Sequence, residues 1–433
     1  MLETTPSIRP QTTGRHLVVL AEGAPEQQTA VLESAAGLRE VTPCRDYGPE
    51  RAAATRYDTL FDRLGIAVVD ADPDQVTALR AAEGEGEIVA VVPELIHHVL
   101  AEHTPADYVR GYADGVADLA ARLGVEAPEE PGEIPSADPP FADSDALTWG
   151  LQAIGIEDAA ATGAGIAVAV LDTGMDLAHP DFVGRDITGM SFVDGEEVQD
   201  GHGHGTHCIG TALGPASPAS GPRYGVAPGA AIFAGKVLGD EGSGSDGGIL
   251  AGIDWAISSG CAIVSMSLGA DVPEVHPPYV TAGRRALDQG VLIIAAAGNN
   301  ASRSEGDMGF VGTPANSPSV LAVAALDQRL AIADFSARTL PAVHGGQVDL
   351  AAPGVDVHSA WPMPTQLRTI SGTSMATPHV AGLAALWAEL TGLRGRELWA
   401  TLVEYGTRLE VPSVDVGAGL AIAPGPWAVP GRA

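Results

Sequence analysis

Short, uninterrupted apolar runs recur along this chain, separated by amphipathic or glycine-rich stretches. In the first hundred residues, 15–20, 64–70 and 87–92 read as strands, while 25–38 and 72–82 carry helical periodicity. Asp72 stands as N-cap of the second helix, with Pro73 at its first position. Strands and helices alternating over 15–100 predict a small α+β domain with its helices on one face of a sheet. Residues 1–14, polar and proline-bearing, read as a flexible N-terminus. Residues 101–145 combine a helical pattern over 105–123 with an acidic, proline-rich linker over 126–145. From 146 to 433 the pattern changes again. Apolar runs at 166–171, 231–238, 262–268, 291–297, 320–325 and 348–351 alternate with helical stretches at 247–258, 281–289, 374–389 and 394–404. Most of these runs are apolar at successive positions rather than at every second residue, as expected when both faces of a sheet are covered. The expectation is an α/β domain with a mostly parallel sheet and right-handed crossovers, ending in a loose tail over 424–433.

Composition narrows the partners. The 433 residues are 45% apolar, enough for a large core and two or three domains. A net charge of −32 argues against nucleic acid or an anionic membrane as partner, since both attract basic patches. Three widely separated cysteines, Cys44, Cys208 and Cys261, make no disulfide framework. The first residues lack the apolar core of a signal peptide, and no run is long enough to cross a bilayer. The expectation is a cytoplasmic chain, with a secreted one as the alternative.

Three stretches carry candidate chemistry. Ser374 lies in Ser371-Gly-Thr-Ser-Met-Ala-Thr-Pro-His-Val-Ala-Gly382. A serine at the first turn of a helix sits in the field of unpaired N–H groups, which suits either an N-cap or a nucleophile. Asp172 ends the apolar run of 165–171, a place where open α/β sheets put functional groups. The segment Asp200-Gly-His-Gly-His-Gly-Thr-His207 brings three histidines together. The order Asp, His, Ser fits an acyl-transfer triad. The spacing of His202, His204 and His207 also offers a metal-dependent hydrolase as the runner-up, which would need further ligands from other loops. Gly242-Ser-Gly-Ser-Asp-Gly247 is formally a nucleotide-binding glycine pattern, and weak evidence as such.

Asp172-Thr-Gly174, Gly203-His-Gly-Thr-His207 and Gly372-Thr-Ser-Met-Ala-Thr-Pro378, with Ala295-Ala-Ala-Gly-Asn299, resemble the signature blocks of subtilisin-like serine peptidases. The resemblance covers roughly 146–422 and implies a three-layer subtilisin-like fold and serine endopeptidase activity. It implies Ser374 as nucleophile, His204 as base, Asp172 as the orienter of that base, and Asn299 as an oxyanion donor. His202, His207 and His379 then become structural, and Asp176 and Asp181 yield to Asp172. By the same resemblance, Gly242, Ser243 and Gly244 line one side of the substrate cleft and Ser267, Leu268 and Gly269 the other. Gly312 would floor a pocket with room for large apolar side chains. The 15–100 unit resembles the inhibitory propeptide of the family in its element order and its ending Val91-Val-Pro-Glu-Leu-Ile96. The N-terminal domain would then be an intramolecular inhibitor or chaperone of a self-processed zymogen, cut after Leu100 or in the acidic linker. Peptides and proteins are the implied substrates. No cofactor is expected for the chemistry. Asp181 matches a calcium-ligand position, though 214–222, where the rest of that site belongs, brings no acidic oxygen, and six to eight oxygen ligands are needed; a structural calcium stays as an open expectation of the resemblance. A scaffold that keeps the fold without the activity is the remaining alternative.

Overall fold

The computed structural model describes residues 10–47, 57–84, 86–100, 138–340 and 346–428. The helix expected over 105–123, most of the acidic linker and the extreme termini lie outside the described residues.

The N-terminal unit runs β1 (Thr12–Leu20), α1 (Pro25–Ala36), β2 (Thr42–Pro43), β3 (Thr59–Phe61), β4 (Ile66–Val69), α2 (Pro73–Ala81) and β5 (Ile88–Val99). β1 is central, antiparallel to both β4 and β5. The Asp72 side chain accepts from the N–H groups of Asp74 and Gln75, capping α2 as its position predicts. Period-two alternation splits the sheet into two faces. Val18, Leu20, Ala67 and Val69 pack under α1 and α2, whereas Leu17, Ile66 and Val68 join the core of the large domain. The unit therefore has two buried faces and uses one of them to dock.

The large domain is built on seven parallel strands. Its elements are β6 (Ala167–Asp172), β7 (Ile187–Ser191), α3 (His204–Leu213), β8 (Ala231–Lys236), β9 (Ser243–Ser245), α4 (Asp246–Ser258), β10 (Ile263–Met266) and β11 (Leu268–Gly269). There follow α5 (Pro277–Asp288), β12 (Leu292–Ala296), β13 (Leu321–Leu326), β14 (Val348–Pro353), β15 (Val357–Ala360), β16 (Leu367–Ile370), α6 (Thr373–Thr391) and α7 (Gly395–Glu404). The sheet order is β14-β13-β12-β10-β6-β8-β7. Helices cover both faces, giving a three-layer α/β fold. Burial explains the apolar strands: every residue of β12 and β13 is buried. β7 was not anticipated, because this edge strand is half-exposed and its sequence, Ile-Thr-Gly-Met-Ser, is mostly polar. Pro424, where a loose tail is expected to begin, is tied to the domain: Ala160 N–H donates to Pro424 O.

Two features position the site. α3 and α6 lie against each other, and both are buried along most of their length. β5 is far longer than the run at 87–92 predicts. Its second half leaves the N-terminal sheet and enters the large domain, pairing antiparallel with β9 on one side and β11 on the other.

Candidate active site

Asp172, His204 and Ser374 come from three distant parts of the chain. Asp172 closes β6, at the carboxyl edge of the parallel sheet. His204 is the first residue of α3 and Ser374 lies in the first turn of α6. His204 Nδ1 and Asp172 Oδ1 are 2.7 Å apart, and both residues are buried. Burial opposes charging of His204, but the neighbouring Asp172 carboxylate and Cys208 outweigh it and raise the imidazole well above its ordinary pKa. Asp172 Oδ1 also accepts from Thr173 N–H at 2.8 Å.

Ser374 Oγ lies 2.6 Å from the carbonyl oxygen of Leu100 and 3.0 Å from that of Ser267. Asn299 Nδ2 donates to the same Leu100 oxygen. Asn299 is aimed by Thr373, whose N–H and Oγ1 donate to Asn299 Oδ1 at 3.0 and 2.8 Å. With the serine hydroxyl turned to Leu100, His204 Nε2 has no hydrogen-bond partner among the described residues. Cys208, free and buried, ties the two helices together: its Sγ is 3.8 Å from His204 Nδ1 and 3.6 Å from Ser374 O.

Local sequence explains these placements. Pro378 has no N–H, so the carbonyl one turn earlier, that of Ser374, lacks its helical donor. Ser267 Oγ, at 2.8 Å, and Cys208 supply the replacement. Asp200, passed over in the sequence, organises the histidine loop. Its Oδ1 accepts from Thr173 Oγ1, His202 N–H and Gly203 N–H, and its Oδ2 from the N–H and Oγ1 of Thr206. The signal was there in an acid four residues ahead of His204, but only the folded loop shows what it holds. Gly205 is required, because a Cβ there would lie 2.3 Å from Gly174 O.

Residues 96–99 form a strand between the two expected cleft walls. Ile96, His97 and His98 stand opposite Ser245, Gly244 and Ser243, while His98 and Val99 stand opposite Gly269 and Leu268. Val99 N–H donates to Gly242 O, and Leu100 N–H to Ser267 O. Gly312 sits behind this arrangement. A Cβ on it would meet Ala270 O at 2.6 Å, so the glycine lets the 269–271 and 311–313 backbones approach rather than facing open space.

Residues 163–419, more than half of the chain, match the family described as the Subtilase family. The chain belongs to the subtilase family. This subtilase is 37% identical over 325 residues to M-protease of Shouchella clausii (strain KSM-K16), covering 74% of this chain and 76% of the relative. It is 42% identical over 244 residues to Subtilisin Savinase of Lederbergia lenta, covering 55% of this chain and 83% of that one. Among solved structures it superposes on Sphericase with a TM-score of 0.55 at 35% identity, covering 65% of this chain and 100% of the other. The protein is a serine-type endopeptidase.

The metal-hydrolase alternative loses its geometry. His207 Nε2 is committed to Val357 O at 3.0 Å, and burial drives its pKa to about 3. Among the described residues, His202, His204 and His207 do not gather as ligands. Among the described residues the one group with ligand atoms close enough is Asp172, His204 and Cys208, which is the buried dyad itself with the neighbouring thiol. Calcium does not fit Asp181 either. Its Oδ1 accepts from Ala219 N–H at 2.6 Å and its Oδ2 from the Tyr224 hydroxyl at 2.5 Å, so proton donors stand where a cation would. Among the described residues no helix is long and apolar enough to cross a membrane. The cytoplasmic expectation finds no support in the relatives.

Proposed function

We propose that Asp172, His204 and Ser374 are the catalytic triad of this subtilase and that Asn299 supplies an oxyanion donor. We propose further that the enzyme is made as a zymogen that cuts itself after Leu100. In this reading Ser374 Oγ attacks the carbonyl carbon of the acyl-side residue, and His204 Nε2 takes the hydroxyl proton. Asp172 holds Nδ1–H in place and stabilises the imidazolium. The Asn299 amide and the Ser374 backbone N–H stabilise the oxyanion. The C–N bond then breaks, the leaving amine takes the proton from His204, and water attacks the acyl-serine ester. The raised basicity of His204 suits the proton-accepting step.

One observation carries the reading. The Leu100 carbonyl receives bonds from both Ser374 Oγ and Asn299 Nδ2, at the end of a strand threaded between β9 and β11. Main-chain pairing of this kind demands little of substrate side chains, which suits a protease acting on extended peptides. The cleft walls are then Gly242, Ser243 and Gly244 on one side and Ser267, Leu268 and Gly269 on the other, with Gly312 keeping the second wall close to its neighbour. The 10–100 unit, docked through one sheet face and through this strand, would act as an intramolecular inhibitor or chaperone after the cut.

Mass spectrometry of the purified chain beside Ser374→Ala tests the whole proposal. The expected result is a cut between residues 100 and 101 in the native chain and an intact mass for the variant. Equal processing of both would overturn the triad. A cut within the linker instead would overturn the role given to Leu100.

A further inference from the structure

Pairing through the main chain leaves the choice of side chain to pockets along the strand. Alternation within β5 turns His97 inward and leaves His98 exposed. His97 is the fourth residue on the acyl side of the proposed cut, with Leu100 as the first, and it is completely buried. Its Nε2 lies 2.7 Å from Asp246 Oδ1 and 3.3 Å from the Tyr279 hydroxyl, and the Tyr279 ring meets the imidazole edge-on with centroids 5.5 Å apart. Tyr279 donates to the same Asp246 oxygen at 2.7 Å. Asp246 Oδ2 accepts from Leu95 N–H at 2.7 Å and lies 3.2 Å from His276 Nε2. Asp246, Tyr279 and His276 are buried as well, and all three belong to the large domain. Asp246 opens α4, Tyr279 lies in the first turn of α5, and His276 directly precedes that helix. The pocket therefore stays with the enzyme when another peptide takes the place of 96–99.

A carboxylate buried this deeply needs donors on its oxygens, and the imidazole supplies one of them. Both partners of His97 lie on Nε2, while its Nδ1 has none among the described residues. The pocket thus takes one N–H from a flat ring, where an ammonium or guanidinium would bury further donors without acceptors. Resting on the catalytic reading above, we infer that this subtilase selects histidine at the fourth acyl-side position, with Asp246 and Tyr279 as the residues that determine the choice. An aliphatic side chain there would leave the carboxylate short of a donor in a dry pocket, and a glutamate would set a second negative charge against it. The third position, where His98 faces outward, carries no such demand.

The test lets peptides compete for the processed protein. They share leucine at the first acyl-side position and differ only at the fourth, as histidine, leucine, lysine or glutamate. Mass spectrometry of the products gives ratios of kcat/KM that do not depend on the active fraction, so a poorly folded variant does not mimic the effect. Histidine should exceed leucine by roughly 10–100-fold, and lysine and glutamate should fall below histidine by at least as much. Histidine moved to the third position should bring no gain. In Asp246→Ala the histidine-to-leucine ratio should fall to near unity, and in Tyr279→Phe it should fall in part. Equal rates for histidine and leucine, or a ratio that both variants leave unchanged, would overturn the selectivity and leave the triad standing; these groups would then serve only to hold the N-terminal unit. Lysine ahead of histidine would overturn the choice of an imidazole. Peptide cleavage that survives Ser374→Ala would overturn the triad reading, and no cleavage of any peptide would overturn both.

Discussion

At the scale of single residues, the site depends on groups that never touch substrate. Thr373 gives both its N–H and its hydroxyl to Asn299 Oδ1, which leaves the amide N–H of Asn299 pointing at the Leu100 carbonyl. Asn299→Ala should lower kcat by roughly 10²–10³, as removal of such a donor does in subtilisin. Thr373→Val should lose less, because the backbone N–H still holds the amide. Since both act on the oxyanion, the loss should appear in kcat with KM little changed, and steady-state kinetics on one peptide checks this. A loss confined to KM would remove Asn299 from the reacting centre. Asp200 works one step further back: it fastens the glycine-rich loop from which His204 projects, and it owes its position to five donors.

At the scale of elements, β5 is the one that joins the two domains. Its first half is a strand of the N-terminal sheet and its second half a strand of the cleft. Glu94 marks the junction, buried, with Oε1 accepting from Gly247 N–H at 2.9 Å and Oε2 from Thr13 Oγ1. Gly247 is in the first turn of α4, where the helix dipole adds to the attraction for a carboxylate. Next to it Asp246 accepts from Leu95 N–H at 2.7 Å and from the Tyr279 hydroxyl, and although burial opposes its ionisation, His97 and His276 hold its carboxyl well below the usual range. The seam is thus built on charge-assisted bonds to one helix end. Glu94→Ala removes one of them, worth about 1.5–3 kcal/mol. After processing, the N-terminal unit should bind roughly 10–100-fold more weakly, read as a larger active fraction on dilution of the processed protein. An unchanged active fraction would show that the strand pairing alone holds the unit in place.

For the molecule as a whole, the charge balance and one misplaced acid set the response to pH. Asp349, in β14, bonds to Ala322 N–H and lies beside Trp399, and burial pushes its pKa up to about 7. A carboxyl whose pKa is higher folded than unfolded contributes its full stability below the ordinary carboxylate range. That contribution is lost as pH rises from about 4 toward 7. Asp349→Asn should flatten this part of the profile, with its melting temperature gaining on the native chain at pH 8 relative to pH 5. Thermal melts at the two pH values decide it, and parallel shifts would mean that Asp349 does not titrate in this window.

The sequence alone determined the layers and marked the residues proposed for the reacting centre. Strands covered on both faces are mostly apolar at successive positions, so β6, β10, β12 and β13 were legible as a parallel sheet. Asp172, His204, Asn299 and Ser374 stood in motifs too specific to arise by chance. What only the tertiary structure decided came from contacts between segments distant in the chain. The twelve residues of β5 could not be read from their own pattern, because its second half is a strand only through β9 and β11. Neighbours distant in sequence likewise engage His207 through Val357 and Asp181 through Tyr224, which removes two metal readings that spacing had left open.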